Sequence, residues 1–308
     1  MDSLDDLLGL VSPLEEDAPR CVLLIDGDIV AFRSAAATDG RMYTIKDSAG
    51  LWKYKKDVEE AAKERGLSLG DICITYVPEP LTHALNATRL QMQSIIGCME
   101  AKHNDFCDVE VYLTDSSANF RLDINPMYKA NRIDMHRPAH LKACKDYLVC
   151  KYEASYSGNK EADDMIAIRA TKLKEAGRPY VICSIDKDFN QIVGWHFDWV
   201  KEEYWYVDEE RAKEFLWGQV VTGDQTDNIS VPEGIGPAKA KKLFEGVNWA
   251  TVKEDELYEM VTGLYGEYLL KCGKLKKDKG ILATKDLCDV RCWVEETMSQ
   301  VYLLREYL

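Results

Sequence analysis

Residues 161–186 read EADDMIAIRATKLKEAGRPYVICSID and contain a predicted helix followed by a predicted strand. The helical part closes at Gly177 and Pro179, two residue types that commonly end a helix. The second part, PYVICSID at 179–186, is a short apolar run rich in β-branched residues that ends in an acid. A helix that leads directly into such a strand predicts an α/β fold.

Two other apolar runs have the same form, CVLLID at 21–26 and VEVYLTD at 109–115. Their near-continuous apolar character is typical of strands in a parallel sheet that is covered on both faces, and a further helix is predicted at 83–103. We therefore expect a mostly parallel central sheet flanked by helices. In such sheets ligands gather beyond the carboxyl ends of the strands, where Asp26, Asp115 and Asp186 stand.

Acidic residues recur in short clusters that follow a predicted strand or begin a predicted helix. Two like charges about 4 Å apart repel by roughly 4 kcal/mol at a surface-like dielectric, so converging carboxylates need hard cations, and oxygen ligands suit Mg²⁺ or Mn²⁺. Taken singly, each cluster is better explained as an acidic helix N-terminus. Taken together, the clusters indicate a metal site. The candidate ligands are Asp26, Asp115, Glu161, Asp163, Asp164, Asp186, Asp188, Asp224 and Asp227.

Helical spacing within the EADD cluster predicts that Glu161 and Asp164 share one helix face, while Asp163 points elsewhere. Further along, GDQTDNISVPEGIGPAKAKKLF at 223–244 predicts a helix–hairpin–helix, which binds the DNA backbone regardless of base sequence. Gly234 and Gly236 would let backbone N–H groups approach a phosphate, and Lys239 adds positive charge. An ordinary connection between two helices is the alternative.

A basic stretch lies between residues 119 and 142, just after the second predicted strand. Arg121, Tyr128, Lys129 and Arg132 are its candidate nucleic-acid contacts. Because the stretch begins next to Asp115, we interpret it as a cationic wall for a phosphate, although a merely soluble surface is the alternative.

The remaining segments carry weaker signals. Residues 41–54 predict a hairpin around Ser48–Gly50, followed by a charged helix up to Gly66. The basic run at 271–280 is more often a solvated loop than a DNA contact, and 290–308 predicts an amphipathic packing helix.

Composition sets limits on the class of protein. No run of eighteen apolar residues occurs, so no membrane span is expected, and the acidic segment 1–20 reads as a tail without identifiable chemistry. The ten cysteines form no CxxC pair, which favours reduced thiols over disulfides or structural zinc. A net charge of −14 argues against nucleic acid at first sight, but an acidic metal centre would account for part of that excess.

With these motifs in order, the chain resembles the flap endonuclease/5′-nuclease family. The resemblance rests on IDGDIVAFR, TDSSANFR with YKANR, EADD, SIDKDF and GDQTDNISVPEGIGPAKA, across about residues 21–246. It is most similar to the free-standing 5′→3′ exonucleases of short-tailed bacteriophages. The resemblance implies a PIN-like 5′-nuclease core at 21–208 and a helical region with the helix–hairpin–helix at 209–308.

The resemblance also implies two Mg²⁺ ions, for which Mn²⁺ can substitute. The first ion would be held by Asp26, Asp115, Glu161, Asp163 and Asp164. The second would be held by Asp186, Asp188, Asp224 and Asp227. Lys129 and Arg132 match the family's basic pair at the scissile phosphate, and K⁺ is expected at the hairpin. Asp28, where relatives often carry a small polar residue, is either an additional acid behind the ligands or a surface group.

The expected reaction is hydrolysis of phosphodiesters at the 5′ ends of duplex, nicked or 5′-flapped DNA and of RNA–DNA hybrids, with 5′-phosphate products. A monomer in the cytoplasm of an infected bacterium, working with other phage replication proteins, would fit the resemblance. A PIN-type RNA-processing nuclease and a non-catalytic DNA-binding protein are the rivals. The hairpin motif argues against the first, and the cost of unused carboxylates argues against the second.

Overall fold

The structure is a computed structural model that describes residues 19–46, 50–104, 106–271 and 284–306, with the backbone alone at 284–288. Its strands are β1 (Val22–Asp26), β2 (Asp39–Ile45), β3 (Ile72–Pro78), β4 (Asp108–Leu113), β5 (Ser155–Tyr156), β6 (Tyr180–Cys183), β7 (Gly194–Asp198) and β8 (Glu203–Val207). Its α-helices are α1 (Gly27–Ala37), α2 (Lys55–Glu64), α3 (Leu81–His103), α4 (Arg121–Ile124), α5 (Leu141–Tyr152), α6 (Ala162–Glu175), α7 (Glu209–Thr222), α8 (Pro237–Leu243), α9 (Glu254–Lys271) and α10 (Thr284–Val301). Short 3-10 helices lie at Leu69–Asp71, Ala130–Arg132 and Lys187–Gln191.

A six-stranded sheet in the order β5-β4-β1-β6-β7-β8 forms the centre of the molecule. β1 pairs in parallel with β4 and with β6, so Val22 lies beside Asp108 on one side and beside Tyr180 on the other. The edge strand β8 runs antiparallel to β7. The mostly parallel sheet that the three apolar runs predicted is therefore confirmed.

Helices cover both faces of this sheet. Leu23 and Ile25 of β1 point into a core cluster that also contains Leu148 of α5. Leu24 points to the opposite side, where it packs in a cluster with Ile166 of α6. Every residue of β1 is buried, because neighbouring residues of a strand face opposite sides of a sheet and both sides are covered here. This explains the continuous apolar run in the sequence.

The hairpin predicted within residues 41–54 is present only as a single antiparallel bridge, in which Tyr43 and Trp52 exchange two backbone hydrogen bonds of 2.7 and 2.9 Å. The longer pairing, which the sequence did not predict, is that of β2 with β3 in a two-stranded antiparallel sheet with Ile45 beside Ile72. α2 lies between these two strands in sequence. Ile45, Val58 and Ala62 are buried against one another, so the charged helix is needed to cover one face of the strand pair. Ser48 and Ala49, at the expected turn, lie outside the described residues.

A separate core lies in the helical region, where Trp217, Leu257, Val261 and Tyr265 are buried together. A helix was predicted over 290–308, but α10 ends at Val301, so the last residues of that range are not helical. The chain then turns back, and Leu303 packs in the same cluster as Ile166. The division near residue 208 stays a prediction, but the two parts are tied together by this returning segment.

Two other predicted segments lie largely outside the described residues, the tail at 1–20 and the basic run at 271–280. None of the helices that the structure describes is long and apolar enough to cross a membrane.

Candidate active site

A cavity of about 200 Å³ lies beyond the carboxyl end of β1, and acidic side chains dominate its lining. We call this cavity the acid pocket. The lining acids are Asp26, Asp28, Glu161, Asp163, Asp186, Asp188, Asp224 and Asp227. The structure thus brings together seven of the nine candidate ligands, and Asp28 joins them. Asp115 and Asp164 do not line the cavity.

Backbone turns at strand ends and helix starts aim these acids into one space. Asp26 ends β1, and its carboxylate accepts the N–H of Ile29 at 3.2 Å and the hydroxyl of Ser184 at 3.0 Å. Asp186 follows β6, and its carboxylate accepts the N–H of Asp188 at 2.9 Å. Cap residues are commonly acidic, because a carboxylate accepts the free N–H groups of the first turn. Asp26 and Asp186 are thus both cap residues and candidate ligands.

A tight loop between α7 and α8 supplies two more acids. Backbone hydrogen bonds join Asp224 and Ile229 in both directions. Gly223 precedes them with φ of +63°, and a Cβ there would lie 2.4 Å from the carbonyl oxygen of Ile229. Glycine is therefore required at this position, and the loop that it permits directs Asp224 and Asp227 into the acid pocket.

Burial and mutual repulsion weaken the acidity of three of these groups. Burial, followed by Asp28, raises the pKa of Asp26 to about 7. Burial and Asp186 raise the pKa of Asp188 to about 7. The pKa of Asp163 is raised well above its usual range by burial and by Asp26 and Asp186. Such shifts follow first from burial, which disfavours the charged form of a carboxyl group, and then from repulsion by the neighbouring acids.

Basic side chains reach the acid pocket from the stretch that the sequence marked as cationic. The ammonium group of Lys129 lies 2.5 Å from Glu161 and 3.6 Å from Asp227. Arg132 pairs with Asp227 and donates to the carbonyl oxygen of Thr226 at 3.1 Å. The side chains of Lys129 and Arg132 remain 26% and 40% exposed, so a ligand in the cavity can reach both.

The backbone at Lys129 is unusual for a residue with a side chain. Its φ is 54°, in the left-handed region, and its N–H donates to the carbonyl oxygen of Asp227 at 2.8 Å. Burial lowers the pKa of the Lys129 amine, but Glu161 and Asp227 raise it, and the net pKa lies above the ordinary value. Lys129 is thus held as a cation over the acids by the same loop that supplies Asp227.

The prediction of Tyr128 as a DNA contact is wrong, because the residue is only 4% exposed. Its hydroxyl lies 3.0 Å from Glu161 and 3.0 Å from Asp227, between the two groups of acids. Burial and both carboxylates raise its pKa, so the hydroxyl keeps its proton and donates. The hydroxyl has one proton and donates to one of the two carboxylates at a time. Because it is within reach of both, Tyr128 bridges Glu161 and Asp227 beneath the cavity.

The prediction of Arg121 as a DNA contact is also wrong, since Arg121 is 1% exposed. Its guanidinium makes two hydrogen bonds to Asp164, at 2.6 and 2.8 Å. It also donates to the carbonyl oxygens of Gln300 and Tyr302, both at 2.9 Å. Nothing in the basic stretch distinguished this buried arginine from its exposed neighbours.

This pairing explains why Asp164 is turned away from the acid pocket. Glu161 is the cap before α6, not a residue within it, and Asp164 accepts the N–H of Glu161 at 3.1 Å in a capping box. The helical spacing used for EADD therefore did not apply. The expectation that Glu161 and Asp164 share a face is wrong: Glu161 and Asp163 face the cavity, and Asp164 faces Arg121.

The returning segment at 300–305, which we call the C-terminal strap, holds the base of the acid pocket. The N–H of Leu304 donates to Asp164 at 3.2 Å, and the N–H of Leu303 donates to the side chain of Gln191 at 2.8 Å. Gln191 ends the 3-10 helix that begins after Asp186. The strap thus joins the elements that carry Asp163 and Asp186, a role that no local pattern in the sequence indicates.

Other predicted residues occupy the margins of the site. Asp115 accepts the N–H of Ser117 at 2.9 Å at the rim, while its neighbour Thr114 lines the cavity. Asp28 accepts the N–H of Thr114 at 3.0 Å and pairs with Lys145 at 2.6 Å. Gln219, which the sequence did not single out, donates to Asp188 at 2.7 Å.

The residues of the predicted helix–hairpin–helix lie in the loop after α7 and in α8. Gly234 has φ of +87°, which favours glycine, and Gly236 caps α8 before Pro237. The amine of Lys239 donates to the carbonyl oxygen of Gly234 and lies 3.8 Å from the ring centre of Tyr268. Lys239 thus folds back onto the hairpin.

The donor chemistry of the acid pocket suits a hard divalent cation. The described residues that line it offer carboxylate oxygens and include no histidine or cysteine. As these side chains are arranged, no three such groups in the described parts of the chain stand close enough to hold one ion. Glu161, Asp224 and Asp227 are paired instead with Lys129, Lys187 and Arg132, respectively. The charge and the donor atoms fit divalent ions, and ligation requires these cations to move aside.

Comparison with known proteins agrees with this picture. A model of the N-terminal, resolvase-like domain of 5′-3′ exonucleases matches residues 78–216. Flap endonuclease Xni of Shewanella baltica is 31% identical over 138 residues, which are 41% of this chain and 53% of that protein. The chain therefore spans about half the length of this curated relative.

Solved structures share the fold at low sequence identity. Bacteriophage T5 5′-exonuclease with bound zinc ions superposes with a TM-score of 0.52 at 17% identity, over 92% of this chain and 89% of that one. A bacteriophage T5 flap endonuclease in a pseudo-enzyme–product complex with DNA and metal ions gives a TM-score of 0.51 at 16% identity, over 93% and 89%. The fold is thus that of a PIN-like 5′-nuclease. In sequence, the chain is similar to 5′-3′ exonucleases over residues 78–216 and to flap endonucleases of the Xni type.

Proposed function

We propose that this chain is a divalent-metal-dependent 5′-nuclease that hydrolyses phosphodiesters at the 5′ ends of duplex, nicked or 5′-flapped DNA. The observation that carries the proposal is the acid pocket itself, where seven candidate ligands converge beneath Lys129 and Arg132. Such a concentration of carboxylates beside reachable cations suits a centre that binds metal ions together with a phosphate.

Asp26, Glu161 and Asp163 would hold one ion, and Asp186, Asp188, Asp224 and Asp227 the other. Asp115 and Asp164 leave the proposed ligand set, because one lies at the rim and the other is bonded to Arg121. Divalent ions bound there would supply a water of lowered pKa as the nucleophile and would stabilise the leaving 3′ oxygen. We favour Mg²⁺, with Mn²⁺ as a substitute, since the donors are oxygen atoms.

Lys129 and Arg132 would hold the scissile phosphate. These cations lie against Glu161 and Asp227. Divalent ions held by the acids would leave the ammonium and guanidinium groups to the phosphate oxygens. A positioned donor of this kind is worth roughly 3–4 kcal/mol to the transition state.

The buried residues of the site would position the acids. Tyr128 ties Glu161 to Asp227, and Gln219 orients Asp188 by its hydrogen bond. No side chain needs to act as a nucleophile, since water attacks phosphorus in this reaction class.

The substrate range extends the proposal further. Contacts to phosphates carry no base sequence, so indifference to sequence is expected of the hairpin at 223–244. Cleavage of RNA–DNA hybrids, K⁺ at the hairpin beside Gly234 and Gly236, a monomeric state, and a cytoplasmic role with phage replication proteins remain parts of this proposal.

Asp186→Asn tests the function directly. The amide keeps the shape of the side chain and an oxygen for the N–H of Asp188, but it removes the charge. We expect Mg²⁺-dependent release of nucleotides from 5′-labelled duplex, nicked and flapped substrates to be abolished, while DNA binding in Ca²⁺ is retained. Product lengths are read on a gel.

Asp146→Asn is the matched control, because Asp146 is an exposed acid paired with Lys142 at 2.7 Å. It should cleave like the wild type. Cleavage retained by Asp186→Asn would remove Asp186 from the mechanism, and a wild-type protein that cuts RNA but no DNA 5′ end would favour the RNA-processing rival.

A further inference from the structure

A furrow leads away from the acid pocket along α7. Its first part is a cavity of about 460 Å³ between α7 and α8, and its second part is a cavity of about 310 Å³ between α7 and β8. Glu214 and Phe215 line both cavities, so the two parts adjoin along α7. Lys187 lines both the first cavity and the acid pocket. We call this path the side furrow, and it begins where the proposed chemistry takes place.

The side furrow combines aromatic surfaces with cationic groups. Phe215 and Phe244 line its first cavity, and Trp205 and Tyr206 line its second. The exposed Lys241 stands at the first cavity on the α8 side, so that it and Lys187 both border the aromatic floor. In a chain with a net charge of −14, a path with this composition is distinct from the average surface.

A glycine keeps the floor of the side furrow open. Gly218 lies in the interior of α7 and lines the first cavity. A glycine in a helix interior destabilises the helix relative to alanine. Packing does not require it here, because a Cβ at Gly218 would meet no atom within 4 Å. The missing side chain therefore leaves the floor of the first cavity open.

We propose that the side furrow binds a single-stranded segment of the nucleic-acid substrate, an inference that rests on the proposed nuclease function. Unpaired bases expose flat faces that stack on aromatic side chains, and their phosphates pair with lysines. The aromatic floor cannot serve a duplex, whose base faces are stacked within the helix. The continuity with the acid pocket through Lys187 and the charge of Lys241 favour a strand of substrate over an apolar peptide.

Three variants change the side furrow without touching the acid pocket. Gly218→Leu fills its floor, Phe215→Ala removes a stacking surface, and Lys241→Gln removes a phosphate contact. Binding of a labelled oligothymidine of about twelve nucleotides, a length within the site sizes of single-strand binders, is measured by fluorescence anisotropy in Ca²⁺. An oligouridine and a duplex of equal length are measured in parallel.

We expect the Kd for the single strands to rise about tenfold for Gly218→Leu and Phe215→Ala, the effect of losing about one stacked base. Lys241→Gln should lower the slope of log K against log salt by about 0.7, as for one lost phosphate contact. The Kd for the duplex should change less than twofold for Gly218→Leu and Phe215→Ala, the two variants outside the hairpin at 223–244. Glu214→Gln should tighten single-strand binding, because it removes an acid from the same wall.

Matched controls separate the side furrow from general effects. Gly263→Leu alters another interior helix glycine with open space around it, Lys151→Gln removes an exposed lysine of α5, and Tyr156→Ala removes an exposed aromatic at the opposite edge of the sheet. All three should bind like the wild type. Thermal melting shows whether each furrow variant is folded. Lys241→Gln changes an exposed side chain and should melt at the same temperature as the wild type.

Unchanged single-strand binding in the three furrow variants would overturn the proposal, and so would an equal loss for the duplex. Binding of apolar peptides but not oligonucleotides, abolished by Gly218→Leu, would assign the side furrow to a protein partner instead. The nuclease function is tested apart from this, by cleavage of a blunt duplex by the wild type. A wild type that binds single strands through the furrow and cleaves nothing would contradict the proposed function alone.

Discussion

Two cation–carboxylate clusters lie on opposite sides of Glu161, and they differ in whether their cations can leave. Arg121 and Asp164 are 1% and 0% exposed in their side chains, and the guanidinium is bonded to Asp164 and to two backbone carbonyls. Lys129 and Arg132 also pair with acids, but 26% and 40% of their side chains are open to solvent. The same residue types therefore serve as a permanent brace on one side and as replaceable charges on the other.

The difference shows how a fold can hold many acids close together. Asp164 has its charge matched by a buried partner and plays no part in the cavity. Glu161 and Asp227 are matched by cations that a phosphate can attract away. Asp26, Asp163 and Asp188 are left with raised pKa values, which marks them as the groups with most to gain from a divalent ion.

The largest effect on the free energy of unfolding should come from removing the buried Arg121–Asp164 pair. Arg121→Met leaves Asp164 buried without its partner, which costs about 3–5 kcal/mol of unfolding free energy. Urea denaturation measures the loss, and adding Asp164→Asn to Arg121→Met should recover part of it, because no unpaired charge then remains.

Arg169→Met is the control for the brace. Arg169 is bonded to Glu110, but its side chain is 35% exposed, so its loss should cost less than about 1 kcal/mol. Equal losses for Arg121→Met and Arg169→Met would show that burial does not distinguish the two kinds of pair.

The replaceable cations should matter for rate more than for stability. Lys129→Ala should slow single-turnover cleavage by about 100- to 1000-fold, since it removes a donor to the developing charge, while its unfolding free energy falls less than that of Arg121→Met. Rapid-quench kinetics with saturating enzyme measures the rate. Lys142→Ala, at a fully exposed lysine of the same stretch, should cleave normally. A rate for Lys129→Ala within threefold of the wild type would exclude Lys129 from the reaction.

The smallest effect concerns pH in the metal-free protein. Burial and the neighbouring Asp186 raise the pKa of Asp188 to about 7 in the folded chain, so the folded state holds this proton more tightly than the unfolded state. The resulting stability is fully present below about pH 4 and is lost as pH rises through 7. Asp188→Asn, which cannot ionise, should therefore become more stable relative to the wild type between pH 5 and pH 8.

Urea midpoints of both proteins in EDTA give this difference, and Mg²⁺ should reduce it at pH 8 by stabilising the wild type. A difference between the two proteins that does not change with pH would show that Asp188 is not under electrostatic strain.

Much of this arrangement could be predicted from the sequence, and the limits are physical. The apolar runs ending at Asp26 and Asp186 predict the sheet and the position of the site, because buried parallel strands have a distinctive composition. The pairing of β2 with β3 could not be predicted, since nearby residues such as Trp52 offered an equally apolar partner. Strand pairing depends on what covers the strands, here α2.

The individual roles within the site depend on burial, which local sequence does not reveal. Arg121 and Lys129 belong to one basic stretch, yet one is enclosed by the C-terminal strap and the other faces the cavity. The strap comes from more than 130 residues beyond Asp164, as the bond of Leu304 to that acid shows. The exchange of roles between Asp163 and Asp164 follows from a capping box that sets Glu161 outside the helical repeat.

Under the proposed function, divalent metal ions in the acid pocket would displace Lys129 and Arg132 from the acids. They would also displace protons from the carboxyl groups with raised pKa. Isothermal titration calorimetry with Mg²⁺ at pH 7, repeated in two buffers of different ionisation enthalpy, tests this displacement most directly. We predict binding of two ions with release of protons, and loss of one or both ions in Asp163→Asn and Asp188→Asn. Absence of Mg²⁺ binding, or the same binding and proton release in both variants as in the wild type, would contradict the account.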